Sequence, residues 1–297
     1  MDLSIVIPVY NEKENIIPLH EQLKRTLKKL DKSHEIIFVD DGSTDSTPGI
    51  IKGLKKKDSR LKTVLFKRNF GKAAALMAGW HEAKGDIVLT MDGDLQDDPK
   101  EIPRFIKKIE SGYELVNGWK YRRHDPLTKT MPSRFFNFLT RLMTGVKVHD
   151  SNCGFKAYRK EVVKSLRIYG ELHRYIPSLT HWMGFRVGEI KVKHRPRKYG
   201  KSKYGVTRLM KGFLDLITIK FLNKFAERPL HLFGPVGILL ALIGFIAGLY
   251  LVVVWCMGRG IGDRPLLILS VLLIIVGIQT FSIGLIGEII INSRKKE

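Results

Sequence analysis

Ile87-Val88-Leu89-Thr90-Met91-Asp92-Gly93-Asp94-Leu95-Gln96-Asp97-Asp98 joins a short run of β-type, mostly apolar sequence to a glycine-spaced pair of carboxylates. A buried strand that ends in acids presents them at the carboxyl edge of its sheet, where open α/β sheets bind their ligands. Gly93 frees the backbone to turn sharply and keeps bulk away from that edge. Two carboxylates held so close repel each other unless a cation lies between them, and hard oxygen ligands suit Mg2+ or Mn2+. Such a cation would in turn hold a diphosphate. A lone Asp-x-Asp is by default a solvated acidic turn, so the weight falls on what accompanies it.

Leu3-Ser4-Ile5-Val6-Ile7-Pro8-Val9-Tyr10 reads as a first buried strand. From Asn11 a helix extends to about Leu30, with Ile16, Leu19, Leu23, Leu27 and Leu30 at helical spacing. Residues 36–39 form a second strand running into Asp40-Asp41-Gly42-Ser43, residues 61–66 a third, and residues 73–83 a helix. The metal-type strand follows, and residues 113–118 give one more. This alternation predicts a parallel sheet with helices on both faces. No Gly-x-Gly-x-x-Gly follows the first strand, so the ordinary dinucleotide fingerprint is missing. Three strands then end in acid-bearing loops at one edge: Tyr10-Asn11-Glu12, Asp40-Asp41 and Asp92-Gly93-Asp94. Asp41 can accept an N–H from uracil or guanine, while Pro8 and Tyr10 offer an apolar wall. Singly each loop is a turn or a cap; converging, they form a nucleotide-diphosphate pocket.

With 297 residues, 44% of them hydrophobic, the chain can bury one full domain and has apolar sequence left over. The surplus lies at the end. Residues 232–257 are apolar and uncharged, long enough to span a bilayer, and residues 266–291 carry only Gln279 and Glu288 as strongly polar interruptions. Two buried core helices are the rival reading, and the lengths disfavour it. The start, Met1-Asp2-Leu3-Ser4, enters a strand pattern at once and is not expected to be a signal peptide. Net charge is +22, of which about +20 precedes the apolar tail. Basic residues stay cytoplasmic, and Arg228 before the hairpin and Arg294-Lys295-Lys296 after it place both flanks on that side. A basic surface beside a bilayer suits anionic lipid heads and phosphorylated substrates. Nucleic acid, the other taker of such charge, needs no membrane hairpin. Cys153 and Cys256 fall in different regions, so neither a disulfide framework nor a metal-binding spacing exists. Gly234, Gly237, Gly244, Gly248, Gly277, Gly284 and Gly287 permit close helix packing, within the hairpin or in a homo-oligomer.

The order Pro-Val-Tyr-Asn-Glu, Val-Asp-Asp-Gly-Ser-Thr-Asp, Asn-Phe-Gly-Lys and Met-Asp-Gly-Asp-Leu-Gln-Asp resembles family 2 glycosyltransferases of GT-A fold. Among these the chain is most similar to the polyisoprenyl-phosphate glycosyltransferases, the dolichol-phosphate mannose synthase group, and the likeness covers almost its whole length. The resemblance implies metal-dependent, inverting transfer of a sugar from a UDP- or GDP-linked donor to a polyisoprenyl or dolichyl phosphate. Carried over by position, Pro8, Tyr10, Glu12 and Asp41 would hold the nucleoside, Asp92, Gly93 and Asp94 would sit at metal and diphosphate, and Gln96 would be a further ligand. Lys72 stands where the family places a cation near the donor; a solvated helix-start lysine is the equal alternative. Lys120, Arg122 and Arg134 would face the acceptor phosphate, although many mannose synthases have arginine where Lys120 stands. Arg134 opens an aromatic-rich helix, 135–143, that would lie on the bilayer or else pack in the core. Asp150, in Val148-His149-Asp150-Ser151-Asn152-Cys153-Gly154-Phe155, matches a residue discussed as a catalytic acid/base. A phosphate acceptor is already ionised at pH 7, so an orienting or metal-facing role is favoured over a general base. Arg197 and Lys203, in an Arg-x-x-Gly-x-Ser-Lys pattern, would clamp the phosphates of both substrates in a loop that closes over the donor.

The expected organisation is a cytoplasmic GT-A-like α/β domain over 1–204, an interfacial amphipathic helix over 205–231, and a transmembrane hairpin with a basic tail over 232–297. Two other functions stay in view. A processive polysaccharide synthase shares such a domain but carries more membrane helices and a Gln-x-x-Arg-Trp segment, of which His173-Arg174-Tyr175 is the nearest echo. A non-enzymatic membrane scaffold would not need acids at three strand ends.

Overall fold

The apolar runs become seven strands: β1 (Leu3–Val9), β2 (His34–Asp40), β3 (Leu61–Leu65), β4 (Ile87–Thr90), β5 (Leu115–Lys120), β6 (Lys156–Arg159) and β7 (Val187–Val192). They form one sheet in the order β3-β2-β1-β4-β6-β5-β7. The computed structural model describes residues 1–121, 137–138, 140–196, 218–221, 225 and 228–294. Helices α1 (Lys13–Leu27), α2 (Thr47–Lys57) and α3 (Lys72–Glu82) link the first four strands, so these run parallel. Further along come α4 (Ile102–Glu110), α5 (Lys160–Ser165) and α6 (Ile176–Trp182).

β1 and β2 are buried on both faces, which is why they read as nearly unbroken apolar runs. On α1 the stripe Ile16, Leu19, Leu23 and Leu27 is buried in the core that also takes Ile5, Ile7, Phe38 and Leu89. Across the sheet's second half, Phe105 of α4 packs on Phe155 with ring centroids 4.4 Å apart.

The sheet is not uniformly parallel. β6 pairs antiparallel with both β4 and β5. A parallel neighbour needs a crossover that carries the chain back to the starting edge; the chain between β5 and β6 instead brings it in from the opposite end. One consequence matters for chemistry: the register sets Lys156 opposite Thr90, two residues before Asp92.

The chain divides into two compact units, Met1–Leu216 and Ile217–Glu297. The second contains α7 (Leu230–Cys256) and α8 (Pro265–Arg294), two helices long and apolar enough to cross a membrane. They pack as a hairpin through glycine. A Cβ on Gly277 would stand 2.5 Å from the Ala241 backbone nitrogen, and one on Gly237 would stand 2.6 Å from the Gly277 carbonyl oxygen. These two glycines therefore serve contact within the hairpin.

Candidate active site

Because β1, β2 and β4 are parallel neighbours, the loops after them meet at one edge. The first two are laced together by polar side chains. Asp41 N–H donates to the Val9 carbonyl at 2.9 Å. Asn11, with φ +55°, accepts from Thr44 N–H at its side-chain oxygen (2.8 Å) and donates its own N–H to Ser43 Oγ (2.8 Å). Asparagine tolerates this left-handed conformation better than other non-glycine residues. Glu12 N–H donates to Thr47 Oγ1 at 3.0 Å. Pro8, Tyr10 and Glu12 stand half-buried around this edge.

Asp41 is buried, and its carboxylate accepts from Phe70 N–H at 2.8 Å and from Gly71 N–H at 3.0 Å. It thereby fixes the loop between β3 and α3. Burial raises its pKa, two backbone amides pull the other way, and the Asp40 charge adds to the rise, which prevails.

The turn after β4 is tight. A Cβ on Gly93 would lie 2.5 Å from Val9 Cγ1, and Leu95 is held at φ +63°. Backbone strain of this kind is maintained only where the surroundings over-determine it. Here Asp92 N–H donates to Asp97 Oδ2 at 3.2 Å, and Gln96 N–H to Asp94 Oδ1 at 3.2 Å. The Gln96 side-chain amide donates to the Arg195 carbonyl at 3.3 Å, while Arg195 N–H returns a bond to the Gln96 carbonyl at 3.0 Å. Arg195 also pairs with Asp98 and reaches Gln22 Oε1 at 2.8 Å. The metal-type turn is thus stitched to the chain that leaves β7.

Three lysines surround the acids. Lys72, the first residue of α3, places Nζ 2.5 Å from Asp92 Oδ1, and Lys120 stands 3.3 Å from Asp97 Oδ1. Lys156 is buried at the head of β6 and donates to the Cys153 carbonyl. Burial alone would push the Asp92 carboxyl up; Lys72 and then Lys120 outweigh it and hold it far below the usual range. Burial lowers Lys156 to about 8, and raises the Cys153 thiol to about 12, which keeps that thiol protonated. The Lys120 ammonium is desolvated, yet Asp97 and the neighbouring anions raise its pKa well above the ordinary value.

Asp150 is buried beneath this group. Its backbone carbonyl accepts from Asn117 Nδ2 at 2.9 Å and Cys153 N–H at 3.1 Å, and its own N–H donates to Glu189 Oε1 at 3.3 Å. A Cβ on Gly154 would meet the Asp92 carboxylate at 2.5 Å, so the Asp150 loop and the metal-type turn abut.

The structure accordingly gathers Pro8, Tyr10, Glu12, Asp41, Lys72, Asp92, Gly93, Asp94, Gln96, Lys120 and Asp150 around one edge. Arg122, Arg134, Arg197 and Lys203 lie outside the described residues. Sequence reasoning gave no role to Asp97, Lys156 or His173. Lys156 heads Lys-Ala-Tyr-Arg, too short and charged to announce a buried strand, so the sequence carried no signal for it.

Among the described residues no group of three or more His, Cys, Asp or Glu side chains gathers as a ready cation site. Asp92, kept ionised by Lys72 and Lys120, and the buried Asp94 supply carboxylate oxygens, the donor type of hard divalent ions that one or two carboxylates hold and ligand phosphates complete.

Residues 4–167 match the family described as Glycosyl transferase family 2, and residues 228–292 match the GtrB C-terminal hairpin. A dodecaprenyl-phosphate galacturonate synthase of Rhizobium johnstonii is 37% identical over 98% of this chain and 88% of its own length. An undecaprenyl-phosphate 4-deoxy-4-formamido-L-arabinose transferase of Pseudomonas aeruginosa is 35% identical over 96% of this chain and 84% of its own. Glucosyl-3-phosphoglycerate synthase of Mycobacterium tuberculosis shares the fold, with a TM-score of 0.56 and 20% identity over 75% of this chain and 79% of that one.

Proposed function

The chain belongs to glycosyl transferase family 2, with a GT-A-like catalytic fold, and on that footing we propose that it transfers a sugar from a UDP- or GDP-linked donor to a polyisoprenyl phosphate. One observation carries the choice of acceptor. Likeness to enzymes named for dodecaprenyl and undecaprenyl phosphate runs through the whole chain, apolar hairpin included. An acceptor whose hydrocarbon tail stays in the bilayer calls for an enzyme tethered beside it. We assign the catalytic domain to residues 1–204, at the cytoplasmic face, with 205–231 as its interfacial helix.

In this reading an acceptor phosphate oxygen attacks the anomeric carbon from the face opposite the diphosphate. A new carbon–oxygen bond forms as the bond to the leaving diphosphate breaks, that electron pair departs on the nucleoside diphosphate, and the configuration inverts. No proton need be removed, since the acceptor is ionised at neutral pH. Asp150 is therefore assigned to orienting the site.

Pro8, Tyr10, Glu12 and Asp41 hold the nucleoside. Lys72, Arg197 and Lys203 offset charge growing on the diphosphate, and Lys120, Arg122 and Arg134 serve the acceptor phosphate. Bound Mg2+ or Mn2+, held by Asp92 and Asp94 with Gln96 beside them, would supply Lewis-acid stabilisation of the leaving group.

The test is transfer of radiolabelled sugar from a panel of UDP- and GDP-linked donors into organic-extractable lipid, using purified protein and a short polyprenyl phosphate. Metal-dependent label in an acid-labile lipid, abolished by EDTA and by Asp94→Ala, is the expected result. Label in a water-soluble polymer, or full activity of Asp94→Ala, would overturn it.

A further inference from the structure

Between β6 and β7 the chain makes a 3-10 turn, Leu172–Tyr175, packed against α3, the helix that begins at Lys72. His173 in this turn is only 6% exposed, and none of the described residues bonds its Nδ1. Beside it, Arg174 is equally buried; it pairs with Glu171 at 2.6 Å, yet its Nε has no hydrogen-bond partner among the described residues. Ser178, in the first turn of α6 and 1% exposed, has no hydrogen-bond partner for its Oγ among the described residues either. A buried polar atom without a partner costs about 1–3 kcal/mol, and such atoms in native proteins point to a ligand or ordered water that completes them. The three fall within six residues: His173 and Arg174 on the turn packed against the helix that carries Lys72, and Ser178 in the first turn of α6 directly after it, a cluster of buried polar groups suited to completion by a polar ligand.

We propose that His173 forms part of the wall of the donor-sugar pocket and hydrogen-bonds a hydroxyl of the transferred sugar, with Ser178 and Arg174 as its supporting neighbours. The inference rests on the glycosyl-transfer reading and deepens it.

The chemistry of the ring selects the ligand. Burial, with Lys72, Arg174 and Lys156 adding to it, lowers His173 to about 3, so the imidazole is neutral at physiological pH. In a neutral imidazole Nδ1 either donates its N–H to a hydroxyl oxygen or accepts a hydroxyl proton, according to the tautomer, and a sugar hydroxyl can take either part. A diphosphate would be served better by the lysines already at the acid edge. So weak a base is also unsuited to taking a proton at neutral pH. What remains is the uncharged, hydroxyl-bearing ring of the sugar.

The experiment compares the full-length wild type with His173→Ala, His173→Gln and Ser178→Ala. The donor is the nucleotide sugar that the wild type transfers best, alongside its monodeoxy analogues. A site built to bond a hydroxyl discriminates strongly against substrates that lack it, so His173→Ala should lose about tenfold or more in kcat/KM with the parent sugar. It should lose far less with the one analogue missing the hydroxyl it reads. His173→Gln should restore part of the preference, and affinity for the free nucleoside diphosphate should stay within about twofold in all variants. A His173→Ala or His173→Gln protein with the wild-type melting temperature that ranks the analogues as the wild type does would overturn the assignment. So would a parallel loss of nucleoside-diphosphate binding. If the wild type transfers no nucleotide sugar to polyprenyl phosphate, the broader reading fails and this one falls with it; normal wild-type transfer with unaltered discrimination in the variants defeats the His173 assignment alone.

Discussion

Asp92 owes its ionisation to its neighbours. Burial favours the neutral acid, and Lys72 with Lys120 reverses that preference. Removing the Lys72 cation therefore weakens the site at two points, the acid it pairs with and the diphosphate it would face. Lys72→Met is expected to lower kcat of transfer by about 100-fold, the scale of losing one preorganised electrostatic contact, while Lys72→Arg keeps a larger share. Steady-state kinetics with saturating polyprenyl phosphate checks this, and activity within twofold of wild type would remove Lys72 from the machinery.

His173 supplies a pH prediction. Its folded pKa, about 3, lies below the unfolded value near 6.5, so the unfolded chain binds more protons between those limits. The stability this group contributes is whole above pH 6.5 and is lost progressively as pH falls towards 3. At pH 5 the loss is about 2 kcal/mol relative to pH 7, from 1.36 kcal/mol per pKa unit. Melting temperatures in detergent at both pH values should show a smaller acid-induced fall for His173→Gln than for the wild type; equal falls would contradict the assignment.

At the scale of elements, the turn after β4 depends on β1 leaving room for it. Gly93→Ala would force a methyl group to within 2.5 Å of Val9 Cγ1. Overpacking of this kind costs about 1–3 kcal/mol. Combining Gly93→Ala with Val9→Ala should recover much of that loss, a coupling measurable as a double-mutant cycle in thermal or denaturant unfolding. Additive losses would mean the strain lies elsewhere.

The first half of the sheet was legible in the sequence because buried parallel strands carry near-continuous apolar runs, as Ile5 to Val9 and Ile36 to Val39 do. β6 and β7 were not. Lys-Ala-Tyr-Arg and Val-Gly-Glu-Ile-Lys-Val are short and carry charge, and their strand character comes from partners supplied by the rest of the sheet. For the same reason Lys156 stayed hidden: only the antiparallel register with β4 sets it opposite Thr90. The acid edge was readable because three acid-bearing strand ends point to it locally. The turn at 172–175 was not, because its tie to the site runs through tertiary packing against α3.

For the molecule as a whole, the question is which side of the membrane each end faces. The hairpin shows almost no charge along its length, so the bilayer reads its orientation from the flanks. Arg228 precedes α7, and Arg294, Lys295 and Lys296 close the chain, while the connecting turn carries Arg259 and Arg264 against Asp263. The Lys/Arg bias of the segments flanking the two helices favours both ends on the cytoplasmic side and the turn outside. That arrangement is also what the proposed reaction requires, since nucleotide sugars are cytoplasmic substrates. Two native cysteines make the arrangement testable: Cys153 is 1% exposed, and Cys256 lies at the end of α7, so replacing Cys256 by Ala leaves a background with only a buried thiol. In that background Gly260→Cys, in the turn, should react with a membrane-impermeant maleimide applied to intact bacterial cells. Ser293→Cys, near the end of α8, should react only after the membrane is opened. The reverse pattern would place the catalytic edge on the side where no nucleotide sugar is available, and the proposed donor chemistry could not operate in that orientation.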